Sequence, residues 1–493
     1  MRRNRKTNRS RRSYVGQAQT VPVYAFLSDE HNLNLGMDVT MRKSQISFLL
    51  VSLFSGLFLF AGVSSVALDR QPNSDYHSRR EALSRKVEDL IVLFAPLESE
   101  GPNDLYGFRQ EDDFYYLSGS TGPGAALLIA PAVEAGKDNP GHSYTEILFL
   151  PPRNLTQEKW TGPKLGPENA DAPKITGFDR VEDMAKLPEE VAKMTSGVHP
   201  IIYTDVPTRD QTSASTGPLA FLKNVNSFLS FQDVKPMIDS LRTYKDAGEV
   251  ALIRKAVDAS VAAHFAAFKA VKPEVNEREI SALMQYEWGK RGCERPAYAP
   301  IVGSGFYSTV LHYSDDDYTM KSGDVVVIDA AGEYSMYASD ITRTLPINGH
   351  FTPRQREIYD IVLGAQQAAE AAFKSGQSTM RRDSPNSLYK VAYDYINTHG
   401  KDLHGQPLGK YFIHGLGHPV GLNVHDATDP DAPLGPGQVF TIEPGIYIPE
   451  ENLGVRIEDD YYVDRDGKLI KLSAALPSRA EDVESEMNAK SNR

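Results

Sequence analysis

Residues 324–344, DVVVIDAAGEYSMYASDITRT, decide the fold class of this chain. An apolar β-rich run ends in Asp329, Gly332 supplies a turn residue, and a second β-rich run starts after Asp340. The pattern predicts two antiparallel strands with a turn centred near Tyr334. In that register the two aspartates face each other, with Cβ atoms about 4.5–5.5 Å apart. Because a buried carboxylate is costly unless it is paired or coordinates a cation, the pair predicts a metal site.

A second carboxylate pair follows near the end of the chain. The run VFTIEPGIYI (439–448) leads through a polar turn at 450–452 into GVRIEDDYYV (454–463). Pairing these runs as a hairpin brings Glu443 opposite Glu458. The sequence therefore predicts two hairpins that carry four carboxylates.

A histidine-rich stretch, HGLGHPVGLNVHD (414–426), lies between the two hairpins. His414 and His418 have the spacing of a helical zinc pair, but the glycines and the proline around them argue against a helix, so we expect extended or turning backbone. One histidine is enough to complete the carboxylate cluster, which leaves the others for substrate binding or proton transfer. Four carboxylates and one imidazole favour two divalent ions, most simply Mn²⁺; ligand type alone leaves cobalt, iron and zinc open.

Composition excludes several classes of protein. The 493 residues are 41% hydrophobic, enough for two or three domains with sizeable cores. The net charge is -12 and the basic cluster is confined to the first dozen residues, so nucleic acid is not an expected partner. The single cysteine, Cys293, excludes an intrachain disulfide and a Cys-rich zinc site. We interpret it as a small buried apolar residue rather than a nucleophile.

The N-terminal residues 1–67 have the features of an export signal. An apolar stretch, ISFLLVSLFSGLFLFAGV (46–63), follows Arg42-Lys43 and precedes small residues. This predicts a secretory signal peptide cleaved before Leu68, and hence a periplasmic or extracellular protein. The alternative is an uncleaved anchor with membrane contact, because the segment is long enough to span a bilayer. The true start is also open, since Met37 or Met41 would give a shorter basic region.

The rest of the chain is predicted to form two parts and a tail. Residues 68–238 mix helical patterns with short β-rich runs, which indicates an N-terminal α/β domain. Residues 239–476 form the second domain, and residues 477–493 are expected to be a charged tail with little to bury. Three helices are predicted in the second domain: a long amphipathic one with Val250, Ile253, Val257, Val261 and Phe268 at helical spacing, one from Asn276 to near Gly292, and one from a capping box at Thr352 to Gly376.

These motifs resemble the creatinase/aminopeptidase P-like metallopeptidases, and within them the Xaa-Pro aminopeptidases. The resemblance covers residues 241–476, and FRQEDDFYYLSG (108–119) resembles the N-terminal domain of the family. It implies an α/β (α+β) chain with a C-terminal pita-bread catalytic domain and a smaller N-terminal creatinase-like domain. It also implies an enzyme that hydrolyses the bond between an N-terminal residue and a following proline by a metal-bridging hydroxide, with proline-containing peptides as substrates, and a homodimer or homotetramer.

The resemblance further implies roles for individual residues. Glu443 would act as proton shuttle besides binding metal, and Asp340 and Glu458 would bridge the two ions. His312 and His425 would contact the substrate and stabilise the tetrahedral intermediate, and His414 would bind substrate at the cleft wall. Arg456 would help to organise the site, either by binding substrate directly or as the ion-pair partner of a ligand carboxylate. One departure is Ala331, where the family usually has glycine. The implied metal ligands are Asp329, Asp340, His418, Glu443 and Glu458.

Two other interpretations stay open at this point. A prolidase, which cleaves only Xaa-Pro dipeptides, shares all five ligands. A non-catalytic pita-bread binding protein, or a metal-free creatinase-like hydrolase, would lack some of the ligands, and this chain lacks none. His264 is expected to serve packing or to lie at the surface, and the 108–119 segment is expected to serve the core and an interface rather than chemistry.

Overall fold

The computed structural model describes residues 68–98, 105–133, 143–195, 200–206, 216–429 and 432–489. The predicted leader in residues 1–67 lies outside these ranges. Within them, no helix has both the length and the apolar character needed to cross a membrane. The described residues belong to one compact unit.

The N-terminal part is built on a six-stranded mixed sheet. The strands are β1 (Leu90–Phe94), β2 (Ala126–Ala130), β3 (Thr145–Leu150), β4 (Arg180–Asp183), β5 (Ile201–Thr204) and β6 (Ser230–Asp233). Their order is β4-β3-β2-β1-β5-β6, with β1, β2 and β3 antiparallel and the outer strands added in parallel. The short β-rich runs AALLIA (125–130), EILFL (146–150) and IIYTD (201–205) form β2, β3 and β5.

Helices cover both faces of this sheet, because the continuous apolar strands must be buried on both sides. Val92 and Leu128 pack with Leu187 and Val191 of one helix. Ile91 and Leu93 belong to the main core on the other face. The helices are α1 (Asn73–Ser84), α2 (Asp112–Ser118), α3 (Glu158–Thr161), α4 (Ala172–Thr176), α5 (Leu187–Met194), α6 (Thr216–Val225) and α7 (Lys235–Arg242).

The C-terminal part consists of short antiparallel strands between two pairs of helices. The strands are β7 (Arg295–Pro296), β8 (Ile301–Ser304), β9 (Val325–Asp329), β10 (Gly332–Glu333), β11 (Thr342–Pro346), β12 (Val439–Ile442), β13 (Gly445–Ile448), β14 (Leu453–Arg456), β15 (Asp459–Val463) and β16 (Leu469–Lys471). The first helix pair is Ala247–Ala270 and Glu277–Gly289, and the second is Pro353–Ala372 and Leu388–His399. Val326 and Ile328 of β9 share a core cluster with the first pair, whereas Val325 shares a cluster with the second pair.

The three predicted long helices are present with the predicted caps. Asn276 and Thr352 each form a capping box, but the two helices that they start end earlier than expected, at Gly289 and Ala372. The apolar positions predicted for the first helix are all buried. The helices are α8 (Ala247–Ala270), α9 (Glu277–Gly289), α10 (Pro353–Ala372), α11 (Leu388–His399) and α12 (Ala480–Asn488).

One expectation about the outline of the chain is corrected. The domain boundary at residue 238 stays a prediction, and this residue lies inside α7. The expected charged tail contains α12, which buries Ala480 and Val483 and packs on α8 and α10. Two apolar residues three positions apart were enough to attach a short helix to an existing core.

Candidate metal centre and substrate cleft

The first carboxylate pair lies on the β9/β11 ladder, but in a different register from the predicted one. Asp329 pairs with Thr342, and the turn is at Ser335 and Met336, which both have positive φ (51° and 73°). The predicted register, with Asp329 opposite Asp340, is therefore wrong by two residues. A shift of two residues keeps every side chain on its face, so both carboxylates still point to the same side.

The second carboxylate pair has the predicted register. Ile442 pairs with Asp459 on one side and Gly445 with Arg456 on the other, so Glu443 lies opposite Glu458. The two ladders meet where Thr342 forms an antiparallel bridge with Glu458. The Thr342 hydroxyl donates to Glu458 Oε2 at 2.6 Å. This junction brings the four carboxylates into one region.

A cavity of about 530 Å³ opens over this junction. Its walls contain all nine site residues that the sequence indicated, together with Tyr298. The stretch that carries three of the histidines is irregular rather than helical, as its glycines and proline predicted. The nine are His312, Asp329, Asp340, His414, His418, His425, Glu443, Arg456 and Glu458.

The side chains at the centre of the cavity have the spacing of a metal cluster. One ligand atom from each of Asp340, His418 and Glu458 lies within 4.8 Å of the others. His418 Nε2 is 3.3 Å from Asp340 Oδ2 and 3.5 Å from Glu443 Oε1. His418 Nδ1 donates to the Pro419 carbonyl at 3.1 Å, which leaves Nε2 as the atom facing the carboxylates. The oxygen-rich donor set with one oriented imidazole fits divalent ions.

The electrostatics of the cluster also fit a cation. Burial, followed by the charge of Asp329, raises the pKa of Asp340. Burial also raises the pKa of Glu443 to about 7, with Asp340 adding to the shift and His418 opposing it. Burial, Asp340 and Glu443 raise the pKa of Glu458. Carboxylates that disfavour each other's charge in this way are stabilised when cations bind between them.

Asp329 is held by one residue of the second hairpin and by one residue from outside both hairpins. Arg456 Nη2 donates to Asp329 Oδ2 at 2.7 Å. The Tyr298 hydroxyl lies 2.6 Å from Asp329 Oδ1 and 2.6 Å from Asp340 Oδ1, so it connects the two aspartates. Sequence reasoning missed Tyr298, which lies in the irregular segment between β7 and β8. Its only signal was an aromatic hydroxyl just before an apolar strand.

Helix α8 supports the loop between the two aspartates. His264 is fully buried, and its Nε2 donates to the carbonyls of Ala330 and Ile341, each at 3.1 Å. One turn earlier, Ser260 accepts a hydrogen bond from the Gly332 amide at 2.9 Å. Burial lowers the pKa of His264 to about 4, so it stays neutral. The expected packing role of His264 thus includes fixing the backbone next to both aspartates.

Three histidines surround the carboxylate cluster. His312 and His425 are exposed to the cavity, and the His425 ring lies edge-on to His418 with centroids 4.2 Å apart. His414 Nδ1 donates to the Gly415 carbonyl at 2.8 Å, and its Nε2 accepts from the Tyr447 hydroxyl at 2.8 Å. Burial, followed by the charge of Arg456, lowers the pKa of His414 to about 4. His414 is therefore a neutral wall of the cavity.

The lone cysteine takes no part in this site. Cys293 is buried, and burial raises the pKa of its thiol to about 12. A thiol with such a pKa is not a nucleophile near neutral pH. Gly332, which follows Ala331, packs against it, since a Cβ there would lie 2.8 Å from Cys293 Sγ.

Comparisons with known proteins match both parts of the chain. Residues 76–203 match the N-terminal domain of aminopeptidase P, and residues 251–465 match metallopeptidase family M24. The Xaa-Pro aminopeptidase of Escherichia coli is 31% identical over 84% of this chain and 98% of its own. Proline aminopeptidase P II from Yersinia pestis has a TM-score of 0.73 at 30% identity, covering 85% of this chain and 99% of its own. Zinc-substituted E. coli aminopeptidase P in complex with product has a TM-score of 0.73 at 28% identity, with the same coverage.

The fold and the site define a metal-dependent hydrolase with a pita-bread catalytic part. The identity to relatives extends over both parts of the chain and over nearly the whole of each relative. The chain belongs to the aminopeptidase P family of M24 metallopeptidases. The family resemblance and the fold class predicted from the sequence are both confirmed, and so is a divalent metal as cofactor.

Proposed function

We propose that this enzyme releases the N-terminal residue of peptides whose second residue is proline. The observation that carries the proposal is the convergence of four carboxylates and His418 in one cavity that three further histidines surround. The names of the relatives, Xaa-Pro aminopeptidase and proline aminopeptidase, support the substrate class. A prolidase would use the same side chains, so the length of the peptide has to be tested.

The donor set would hold two divalent ions, which we propose to be Mn²⁺. Such ions, when bound, lower the pKa of water and polarise a carbonyl. The acidic cluster would also attract the free α-amino group of a peptide, which favours an exopeptidase. The proposed ligands are Asp329, Asp340, His418, Glu443 and Glu458.

Glu443 is placed to move the proton that the reaction requires. Its side chain is 16% exposed and lies 3.7 Å from His414 Nδ1, so it faces the cavity. We assign to it the removal of a proton from the attacking water and its delivery to the leaving nitrogen. The nitrogen of a proline amide carries no hydrogen of its own and must be protonated to leave.

The surrounding histidines would bind the substrate. His312 and His425 are exposed to the cavity, and His425 lies against His418. From the cavity wall they can donate to a carbonyl oxygen that gains charge during attack. His414 is fixed by Tyr447, and Arg456 forms an ion pair with Asp329 at 2.7 Å. These contacts support a role for Arg456 in organising the ligands, and its direct contact with the peptide stays a prediction.

The test compares a dipeptide with longer peptides. Purified protein with Mn²⁺ is given Gly-Pro and Gly-Pro-Pro in parallel, and release of glycine is measured. We expect cleavage of the tripeptide. Cleavage of the dipeptide alone would contradict the proposal and show that the enzyme is a prolidase. To test which ion is used, metal-free protein is loaded with Mn²⁺, Co²⁺ or Zn²⁺ and kcat/KM is measured for each. A higher kcat/KM with an ion other than Mn²⁺ would overturn the assignment of manganese.

We also propose that the enzyme is exported, or anchored through residues 46–63, and forms a homodimer or homotetramer. The basic and apolar pattern of the leader supports export. Intact-mass measurement of protein recovered from the exterior or periplasm should give a chain that begins at Leu68. Retention of the leader in a membrane fraction would show the anchor instead. Light scattering of the soluble enzyme gives the oligomeric state, and a monomer would contradict this part of the proposal.

A further inference from the structure

The loop that carries His425 has little regular structure of its own. Residues 421–426 belong to no helix or strand. The His425 amide donates to the Asn423 side chain at 3.1 Å, and the Asp426 amide donates to the Pro419 carbonyl at 3.0 Å. A loop of this kind needs contacts from other elements to hold an exposed imidazole in one place.

The N-terminal part supplies such contacts on one side of His425. Arg109 Nη2 donates to the Leu422 carbonyl at 2.6 Å. Asn423 Nδ2 donates to Asp112 Oδ2 at 3.3 Å, while the Asn423 oxygen accepts from the His425 amide. Asp112 is therefore two hydrogen bonds away from the backbone of His425. Arg109 and Asp112 belong to the 108–119 segment, which is expected from the sequence to serve the core and an interface.

A chain of buried charges holds the other side. Asp426, which follows His425, accepts from Arg242 Nη2 at 2.5 Å and lies 2.9 Å from Lys245 Nζ. Arg242 Nη1 in turn donates to Asp113 Oδ1 at 2.6 Å. Asp426 lies so close over Gly421 that a Cβ there would be 2.1 Å from its Oδ2. All four charged side chains are at most 13% exposed, so solvent weakens these pairs little.

We propose that residues 109–113 of the N-terminal part are positioning residues for His425. They hold loop 421–426 on both sides of the histidine, through Arg109 and Asp112 before it and through the Asp113–Arg242–Asp426 chain after it. The N-terminal part thereby fixes a substrate-binding group of the other part. The inference rests on the substrate-binding role of His425 in the proposed function.

The metal ligand in the same stretch is held independently. The His418 amide donates to the Thr441 hydroxyl at 3.1 Å, and the Thr441 amide donates to the His418 carbonyl at 2.9 Å. His418 is thus attached to β12, which the N-terminal contacts do not include. Weakening those contacts should therefore move His425 and leave the metal site intact, which separates positioning from general damage.

The experiment uses Asp113→Asn in the full enzyme, with Glu146→Gln as the matched control. Glu146 forms a buried ion pair with Arg80 at 2.8 Å, also in the N-terminal part, but does not contact loop 421–426. Each variant is made alone and combined with His425→Ala, and kcat/KM is measured on a Gly-Pro tripeptide together with metal content. We expect Asp113→Asn to lower kcat/KM about 10-fold with unchanged metal content, and to change it less than about 2-fold when His425 is already absent.

Equal losses with and without His425 would overturn the proposal, as would no loss in Asp113→Asn. If Asp113→Asn does not fold, Asp112→Asn and Arg109→Gln are each combined with His425→Ala and measured in the same way. The imidazole NMR signals of metal-free enzyme give a readout without activity. The signal that disappears in His425→Ala is that of His425. It should shift in Asp113→Asn and stay unchanged in Glu146→Gln. An unshifted His425 signal in Asp113→Asn would also overturn the proposal. A wild-type enzyme that cleaves no Xaa-Pro peptide would defeat the proposed function, while the NMR comparison would still test the positioning.

Discussion

The carboxylate cluster and the outer histidines share one cavity but are held in different ways. Asp329, Asp340 and Glu458 are at most 8% exposed and lie at or next to strand ends where two ladders meet. His312 and His425 are exposed and lie on irregular segments. Strand pairing positions the backbone of Asp329 and Glu458, whereas side-chain contacts from distant parts of the chain position the loop of His425.

This difference indicates a division of work within the site. A metal cluster tolerates little change in ligand spacing, which a sheet junction provides. Groups that bind a peptide must allow entry and release, which loops attached by polar contacts can permit. Changes in the cluster should therefore remove metal and activity, while changes at the outer histidines should affect catalysis alone.

The largest effect is expected from Asp340→Ala. Loss of a ligand at the centre of the cluster should abolish binding of at least one ion and lower kcat by about 10³-fold or more, because the ions supply several kcal/mol of charge stabilisation. Metal content after dialysis and turnover of a Gly-Pro tripeptide are measured. Asp360→Ala, an exposed acid on α10, is the control. Wild-type activity in Asp340→Ala would refute the assigned site.

The outer histidines should give a smaller effect of another kind. His312→Ala and His425→Ala are each expected to lower kcat/KM by about 10²-fold, because each removes one group that stabilises developing charge. Metal content should stay at the wild-type level. His399→Ala, an exposed histidine stacked on Tyr395, serves as control. Loss of metal in either variant would show that the two regions are not separate.

The strand pattern of the site could be predicted because local residues determine it. Glu443 and Glu458 were placed correctly, since alternating apolar residues flank a polar turn on both sides. The turn between Asp329 and Asp340 was misplaced because Ser335 and Met336 take positive φ, a conformation that sequence ordinarily signals by glycine or asparagine. Asp329 and Asp340 were still predicted to share one site, because a two-residue shift leaves each side chain on its face.

Contacts between distant segments could not be predicted in the same way. Tyr298 is 31 residues from Asp329 and 42 from Asp340, and no local pattern marks its hydroxyl as their partner. His264 has the spacing of an ordinary helix position, and only the fold places it against the carbonyls of Ala330 and Ile341. The packing of α12 likewise depends on a surface that other helices form. Such features follow from tertiary structure rather than from propensity.

Tyr298→Phe tests a residue at the edge of the carboxylate cluster. The variant removes a hydroxyl that orients one oxygen each of Asp329 and Asp340, so metal affinity should fall about 10-fold, as for other groups that orient ligands. Titration calorimetry with Mn²⁺ on metal-free protein measures the change. Tyr286→Phe, on the exposed side of α9, is the control. Unchanged affinity with lower kcat would instead place Tyr298 among the groups that act on substrate.

The smallest effect concerns the stability of the metal-free enzyme as a function of pH. Burial raises the pKa of Glu443 from 4.5 to about 7, so its contribution to stability is fully present below about 4.5 and is lost as pH rises through about 7. His418 acts in the same direction: burial alone would lower its pKa, but Asp340 and Glu443 outweigh burial and raise it from 6.5 to about 9. Its contribution is therefore present below about 6.5 and is lost as pH rises through about 9.

Metal-free protein should accordingly melt at a lower temperature at pH 9 than at pH 5, by about 5 °C. Mn²⁺ should remove most of this fall, because the bound ions stabilise the ionised carboxylates. Melting temperatures of chelator-treated protein with and without Mn²⁺ across this range test the prediction, and Glu443→Gln should flatten the part between about pH 4.5 and 7. Parallel curves with and without the ion would mean that the fall arises outside the cluster. If Mn²⁺ removes the fall in melting temperature, the charges of the metal ligands, rather than the outer histidines, limit the stability of the metal-free site.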